Sequence, residues 1–400
     1  MDQVRRGYTS REVLSGCGRI AIRRSRYELS QGGTGSLVDD LIDAAHESVS
    51  VAVKEMCCRL GIDSGSFQRA AGSLLRVGQL RLSDELLRKI VESEGKAALV
   101  WQDQATVPLT WNAESTTTTA TEDGSPVRRM YVGMDGFMLP MVTEAEQSKR
   151  YQKAKARRKK LRRKHGVRRP RLKPSRGADQ RYKEFKLVRL YDQEQKYKWL
   201  RVTRHGPDRV AKLLRLMAED VKLFRADQIT AVTDGAEWIA RILADCLPEE
   251  KTTFILDYYH ATEHVHKARR DIWGEASPDG EQWAKKLIGR IYEEDFAHWS
   301  QDLLATRASL RGPAKRKAID ALIGYLFSRK EKIEYAQFRF KGLKIGSGPT
   351  ESSCKSEARR LKGIGMRWTQ HNADGMLALE ALHQSDLWQT YWKSKFKLAA

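Results

Sequence analysis

Apolar residues follow two periods along the chain, and the switches between them divide it into regions. From Leu37 to about Gly95 they recur at spacings of three and four: Leu37, Leu41, Ala44 and Ala45, then Val49, Val53, Met56 and Leu60, then Phe67, Ala70, Leu74 and Leu75. That spacing predicts three or four short helices. Ser64, between Gly61 and Gly65, can cap a helix beginning at Ser66, and Ser83 with Asp84 can open another over Asp84–Ser93. Ahead of these, Arg19–Tyr27 reads as a short strand. The helix over Leu60–Gly78 and its successor fit either a helix-turn-helix that binds DNA or a scaffolding bundle. Residues 102–126 are polar, Thr-rich and broken by Pro and Gly, as expected of a linker.

The period then changes to that of strands. Met130–Val142 is an apolar run suited to burial on both faces, and it carries one carboxylate, Asp135. Such an acid either sits exposed at the strand end or is buried beside a cation, a donor or a metal. Tyr182–Tyr191 and Lys196–Thr203 alternate across a short polar turn and predict a hairpin. Pro207–Phe224 has helical spacing. Gln228–Thr233 is a buried strand ending at Asp234 and Gly235, Ala236–Leu247 is a helix, and Thr252–Leu256 is a strand ending at Asp257. From Ala261 to about Lys344 the pattern is helical throughout. In Ile345–Trp368, Gly346, Gly348 and Pro349 break the preceding structure, Thr350 can cap, and a helix starts near Glu351 with Lys355 and Arg359 one and two turns on. The resulting fold class is α/β: a mixed sheet with an all-helical insertion and a mainly helical N-terminal region. The divisions are 1–101 (mainly helical, DNA-binding or scaffolding), 102–126 (linker), 127–260 (first part of the core, with a basic insertion over 144–181), 261–344 (helical insertion) and 345–400 (last part of the core).

Charge changes this picture from a fold to a function class. The chain has 400 residues and a formal net charge of +22, and its pI is about 9.8. Such an excess calls for a polyanionic partner. Lys149–Arg176 concentrates it, with no acidic residue in the run, and self-repulsion predicts a segment that stays mobile until a polyanion binds. Arg157, Arg158, Lys159, Lys160, Arg162, Arg163 and Lys164 are its expected contacts to the DNA backbone, made without reading sequence. Lys355, Arg359, Arg367 and Trp368 are further candidates, although Trp368 suits the core as well as a stack on an unpaired base. The five cysteines are scattered and never spaced CxxC, which gives neither a disulfide framework nor a cysteine zinc site. Neither a membrane span nor a signal peptide is expected, and the protein is read as cytoplasmic.

Asp135, Asp234 and Glu351 are three acids delivered from distant segments to one end of the sheet. A few carboxylates and a substrate phosphate suffice to hold two magnesium ions, with manganese an expected substitute, for in-line phosphoryl transfer.

The segments VGMDG, AVTDGAEWI, ILDYYHATEH and GSGPTESSCKSEARRLKGIGMRW resemble those of the DDE transposases of bacterial insertion sequences, in particular the ISKra group and, more distantly, the Mutator-like enzymes. The resemblance spans about residues 19–392 and is most specific in the last motif. It implies a ribonuclease-H-like fold and magnesium-dependent cutting and joining of DNA at element ends by a homo-oligomer associated with the nucleoid. It also implies that Asp135, Asp234 and Glu351 are the metal ligands, with Asp257 and His260, matching a DxxH motif, at the edge of the site. The chain departs from many such enzymes at the seventh residue after the Glu, which is Ala358 rather than a cation, with Arg359 next. A structure-specific nuclease with the same acids, and an inactive element that only binds DNA, are the alternatives. His260–His264 also matches the HxxEH pattern of zinc peptidases, but no distant segment supplies a third ligand.

Overall fold

The computed structural model describes residues 5–28, 34–36, 48–103, 107–121, 124–166 and 171–399. The chain forms two compact units, each assembled from separated stretches: residues 1–108, 137–185 and 355–400 in the first, and 109–136 and 186–354 in the second. The helix expected around Leu37, Leu41, Ala44 and Ala45 lies outside the described residues.

The first unit begins with an antiparallel hairpin, β1 (Arg5–Ser15) and β2 (Gly18–Glu28), to which the short β3 (Thr34–Gly35) adds. Only β2 overlaps a strand expected from the sequence. In β1 just Val13 and Leu14 are buried, so there is no apolar alternation to read. Helices α1 (Val51–Asp63), α2 (Phe67–Gly78) and α3 (Asp84–Gln102) follow. Ser83 caps as expected, accepting from Leu86 N–H at 3.2 Å, whereas the cap of α2 is Ser66, accepting from Arg69 N–H at 3.1 Å, and the expected Ser64 ends α1. The predicted Leu60–Gly78 helix is therefore two helices, broken at Ser64–Ser66. Helix α3 extends well beyond Ser93 and crosses a later helix, α13 (Gln370–Gln384), backbone against backbone. A Cβ on Gly95 would lie 2.7 Å from the Gly375 carbonyl carbon.

The basic tract does not match its expectation. It forms a helix, α4 (Glu144–His165), in which no residue is buried. Local chemistry explains this. Thr143 and Glu146 make a reciprocal capping box, Lys, Arg, Gln and Ala favour helix, and no Gly or β-branched residue intervenes before Gly166 ends it in the left-handed region. Two glutamates in the first turn and basic side chains in the last suit the helix dipole. Tyr151, Ala154, Arg158 and Leu161, at helical spacing, are its half-covered stripe.

The second unit is built on a sheet of order β7-β6-β5-β8-β9, with β5 Pro126–Pro140, β6 Tyr182–Asp192, β7 Lys198–Thr203, β8 Gln228–Thr233 and β9 Thr252–Leu256. Strands β6 and β7 form the expected antiparallel hairpin, while β5, β8 and β9 run parallel. Part of the Thr-rich stretch read as linker is ordered. Thr118–Ala120 is a strand, β4, paired with the start of β5, and Asn112 caps the 3₁₀ turn before it. Its β-branched threonines suit a strand as well as a loop. Helices α5 (Pro207–Asp220) and α6 (Glu237–Cys246) connect strands, and α7 (Tyr258–Trp273), α8 (Pro278–Glu293), α9 (Phe296–Ser309), α10 (Pro313–Phe327) and α11 (Tyr335–Phe340) fill the helical stretch. Their apolar faces share one core with Tyr131, Tyr191, Val232 and Ile255 of the sheet. Helix α12 (Gly348–Arg359) then returns the chain toward the first unit, which closes with α13 and α14 (Trp388–Ala399). No helix among the described residues is long and apolar enough to cross a membrane.

The first unit contains a buried acid pair. Gln384 donates to Glu357 at 3.1 Å and to Glu380 at 3.2 Å, and burial, followed by the Glu380 charge, lifts the Glu357 carboxyl well above the ordinary range. A folded-state pKa raised in this way favours the fold at low pH, and the benefit is lost as pH rises through that pKa. Glu357→Gln is therefore expected to raise the melting midpoint over wild type by an amount that grows between pH 5 and pH 8. A difference constant across that range would contradict the buried charge.

Candidate active site

Three carboxylates lie at one level of the parallel strands. Gly133 of β5 pairs with Val232 of β8, so two residues further on Asp135 falls beside Asp234; Thr233 pairs with Leu256 of β9, so one residue on Asp234 falls beside Asp257. Neighbouring strands are about 4.8 Å apart, and this is the carboxyl end where parallel sheets place their sites.

The three are not equivalent. Asp257 is buried, and both of its oxygens are engaged. One accepts from His260 N–H at 2.7 Å, capping α7, and the other from Ser347 N–H. Asp135 and Asp234 are half-buried and each is aimed by a neighbouring peptide: Gly136 N–H donates to Asp135 at 2.6 Å and Ala236 N–H to Asp234 at 2.9 Å. Burial raises the Asp135 pKa, and the charges of Asp234 and Glu351 raise it further against the Gly136 N–H and the Cys354 thiol. Two acids are thus close enough to Asp135 to repel its charge.

Glu351 reaches this place because the chain before it is fastened to the sheet. Arg129 of β5, buried, donates to the carbonyls of Lys341 at 2.6 Å and Gly342 at 3.4 Å. Lys344 N–H donates to the Tyr131 hydroxyl at 3.1 Å, and Tyr258 N–H to the Ile345 carbonyl at 3.0 Å. Arg189 of β6, also buried, donates to the Pro349 carbonyl and, at 2.8 Å, to the Ser353 hydroxyl. The Ser347 hydroxyl donates to Glu351 at 2.9 Å, while its N–H is held by Asp257. Sequence reasoning missed Arg129, Arg189 and Ser347. Their partners are remote in the chain, apart from Glu351, which follows Ser347 by one turn at ordinary capping distance. The helix itself begins at Gly348, earlier than the Glu351 expected.

The other predicted residues are placed as follows. His260 is half-exposed, with its Nδ1 3.4 Å from Glu263, and His264 lies flat against Tyr325 at 3.7 Å between ring centres. Among the described residues no group of three His, Cys, Asp or Glu side chains is placed to hold a metal ion, so HATEH acquires no third ligand and Asp135, Asp234 and Glu351 do not form a ready-made metal site. Lys355, Arg359, Arg367, Trp368 and α4 belong to the first unit. Lys355 and Arg359 are exposed, and Arg359 lies 3.8 Å from Asp63. Arg157, Lys159, Lys160, Arg162, Arg163 and Lys164 are exposed along α4, and Arg158 is on its half-covered stripe. Trp368 is buried, donates to the Leu361 carbonyl at 3.1 Å and meets Phe67 edge-on. With Arg150, Arg360 and Arg367, these two rings line a groove of about 720 Å³; Arg367 is ion-paired with Glu146 there.

A mixed α/β fold with carboxylates at the ends of parallel strands is the class that these features define. The chain belongs to the UPF0236 family, described as an uncharacterised protein family, whose model matches residues 4–389. No curated protein matches it. Among solved structures, the Drosophila P element transposase strand transfer complex is similar over 82% of this chain and 90% of that chain, at 10% identity and a TM-score of 0.36. Function is accordingly argued from the side chains.

Gly133 tests how the site is assembled, because a Cβ there would fall 1.9 Å from the Thr350 hydroxyl oxygen. The start of α12 thus rests on bare backbone two residues before Asp135. Gly133→Ala is expected to cost about 1–3 kcal/mol in denaturant unfolding, as overpacking does, with much of it recovered in Gly133→Ala/Thr350→Ala. A stable single variant would show that the contact is not required.

Proposed function

We propose that this chain is a DNA transposase of a bacterial insertion sequence, of the DDE type with a ribonuclease-H-like core. The observation that carries the reading is the placement of Asp135: it is half-buried beside Asp234 across the parallel strands, and burial, then the charges of Asp234 and Glu351, disfavour its ionised form. Folding leaves such a cost in place where a cation is to be received. The strand order, with a hairpin joined to three parallel strands, supports the same reading, as does the exposed basic helix α4.

The donor set suits magnesium, a hard cation that takes oxygen ligands and needs only one or two carboxylates beside water and substrate phosphate. Asp135, Asp234 and Glu351 would hold two such ions. When bound, they supply activation of a water or 3′-hydroxyl and stabilisation of the entering and leaving oxygens of an in-line displacement. The chain's own work is orientation. Gly136 N–H, Ala236 N–H and the Ser347 hydroxyl each fix one oxygen of an acid, so the group does not have to be ordered when substrate arrives. Asp257, with both oxygens engaged, acts as a positioning residue through Ser347, and His260 contributes the N–H that it caps.

Arg157–Lys164 of α4 would follow the phosphate backbone of DNA without reading sequence. Lys355, Arg359 and Arg367 would add contacts from the first unit, whereas Trp368, packed on Phe67 with its N–H on the Leu361 carbonyl, serves the core. Two element ends must be held together for joining, which calls for a homo-oligomer acting on element ends and target DNA at the nucleoid.

The test is magnesium-dependent cleavage and strand transfer on DNA carrying the element's ends. Asp135→Asn, Asp234→Asn and Glu351→Gln should each lower turnover on the order of a thousandfold or more while DNA binding persists. Cleavage without joining would make the protein a structure-specific nuclease. Binding without any reaction would make it an inactive element.

A further inference from the structure

A second feature of the sheet unit adjoins the Asp234 turn. On the β8–β9 side, a cavity of about 370 Å³ is floored by Ala231, Leu243, Leu256 and Phe254 and edged by Arg329 and Lys332, with Glu237 also on its wall. Both cations come from the end of the helical stretch between β9 and α12. Arg329 lies over the Tyr325 ring at 4.2 Å and spends one terminal nitrogen on the Tyr325 carbonyl and the Ser328 hydroxyl. Lys332 sits 5.9 Å from the Phe254 ring centre. Among the described residues neither is ion-paired with a carboxylate, Glu237 included.

The link to the acids is Gly235, the residue after Asp234. It holds a positive φ of 81°, and a Cβ there would lie 2.7 Å from Leu256, 3.5 Å from Arg329 Nε and 4.0 Å from the Tyr325 hydroxyl. Among the described residues that buried hydroxyl has no hydrogen-bond partner. One turn therefore presents a carboxylate to the site and its backbone to the cavity.

An apolar floor with two unpaired cations at its rim fits a flat heterocycle joined to an anion. The volume is near the lower end of the roughly 300–1,000 Å³ of small-ligand sites, enough for one nucleotide and far too small for a duplex. We propose that this cavity receives a single unpaired nucleotide of the DNA strand at the reaction centre, its base on the floor and its phosphate on Arg329 and Lys332. The inference rests on the transposase reading and deepens it, since a nucleotide held there has left its base pair. Arg329 and Lys332 are thus binding residues supplied by the helical stretch, which has a role at the site beyond packing.

Binding measured apart from catalysis tests this. A fluorescein-labelled single-stranded oligothymidylate of twelve nucleotides and a duplex of equal length are titrated by anisotropy without divalent metal, on wild type, Arg329→Ala/Lys332→Ala and Arg329→Lys. The double variant is expected to bind the single strand about tenfold or more weakly, with a salt dependence shallower by about 0.7 for the one lost phosphate contact. Duplex affinity should change little, and Arg329→Lys should retain most of the single-strand binding. If melting shows that the double variant does not fold, Arg329→Gln with Lys332→Gln takes its place. Equal binding of the single strand by wild type and variant overturns the cavity assignment while leaving the transposase reading intact. Thymidine monophosphate displacing the strand at equal concentration would also overturn it, pointing to a free nucleotide. Failure of wild type to bind either DNA overturns both readings.

Discussion

One buried carboxylate, Asp257 at the end of β9, ties the candidate site together. Asp257 accepts from the first turn of α7 with one oxygen and from Ser347 with the other, joining the end of β9, the start of the helical stretch and the chain that leads to Glu351. Hydrogen bonds to a charged acceptor of this kind are about twice as strong as neutral ones. Ser347 passes the constraint on, because its hydroxyl fixes Glu351. Arg129 and Arg189 hold the same segment from the other strands, so the third acid, more than ninety residues beyond Asp257 in sequence, arrives at a set position.

What this framework assembles is electrostatically unfavourable. Asp135 is pushed toward its neutral form by burial and by two other acids, and it is opposed only by local donors. Cys354, three residues after Glu351 on α12, is one of those donors, a weak one. Elsewhere positive charge is displayed on a helix whose side chains are all at least partly exposed. The chain thus separates its charges: negative groups are confined and oriented on the sheet, and positive groups are displayed on α4.

The sequence was most informative where burial dictates pattern. Met130–Val142, Gln228–Thr233 and Thr252–Leu256 fall on parallel strands that bury apolar side chains, so their apolar runs stand out, and the acids that end two of them could be found directly. It was least informative where structure comes from local capping or remote contact. Hairpin β1–β2 has little buried face, and α4 has no apolar stripe wide enough to announce a helix, although its capping box was present to be seen. Arg129 and Arg189 read as ordinary charges in alternating strands; only the fold reveals that they are buried and donate to chain segments more than 150 residues away. Asp234 and Asp257 look alike in sequence, each ending a strand. Hydrogen bonding separates them, since one acid has both oxygens bound by peptides and the other has only one.

Manganese binding followed by electron paramagnetic resonance measures this distinction most directly, because it reads the carboxylates without requiring DNA or turnover. Wild type, Asp135→Asn, Asp234→Asn, Glu351→Gln and Asp257→Asn would be titrated under identical conditions after each is shown to melt cooperatively. The account predicts tight binding in wild type, a marked loss in each of the first three variants, and retention in folded Asp257→Asn with at most a modest weakening. Loss in Asp257→Asn together with full binding in Asp234→Asn would contradict it and move the metal-binding acid to the end of β9.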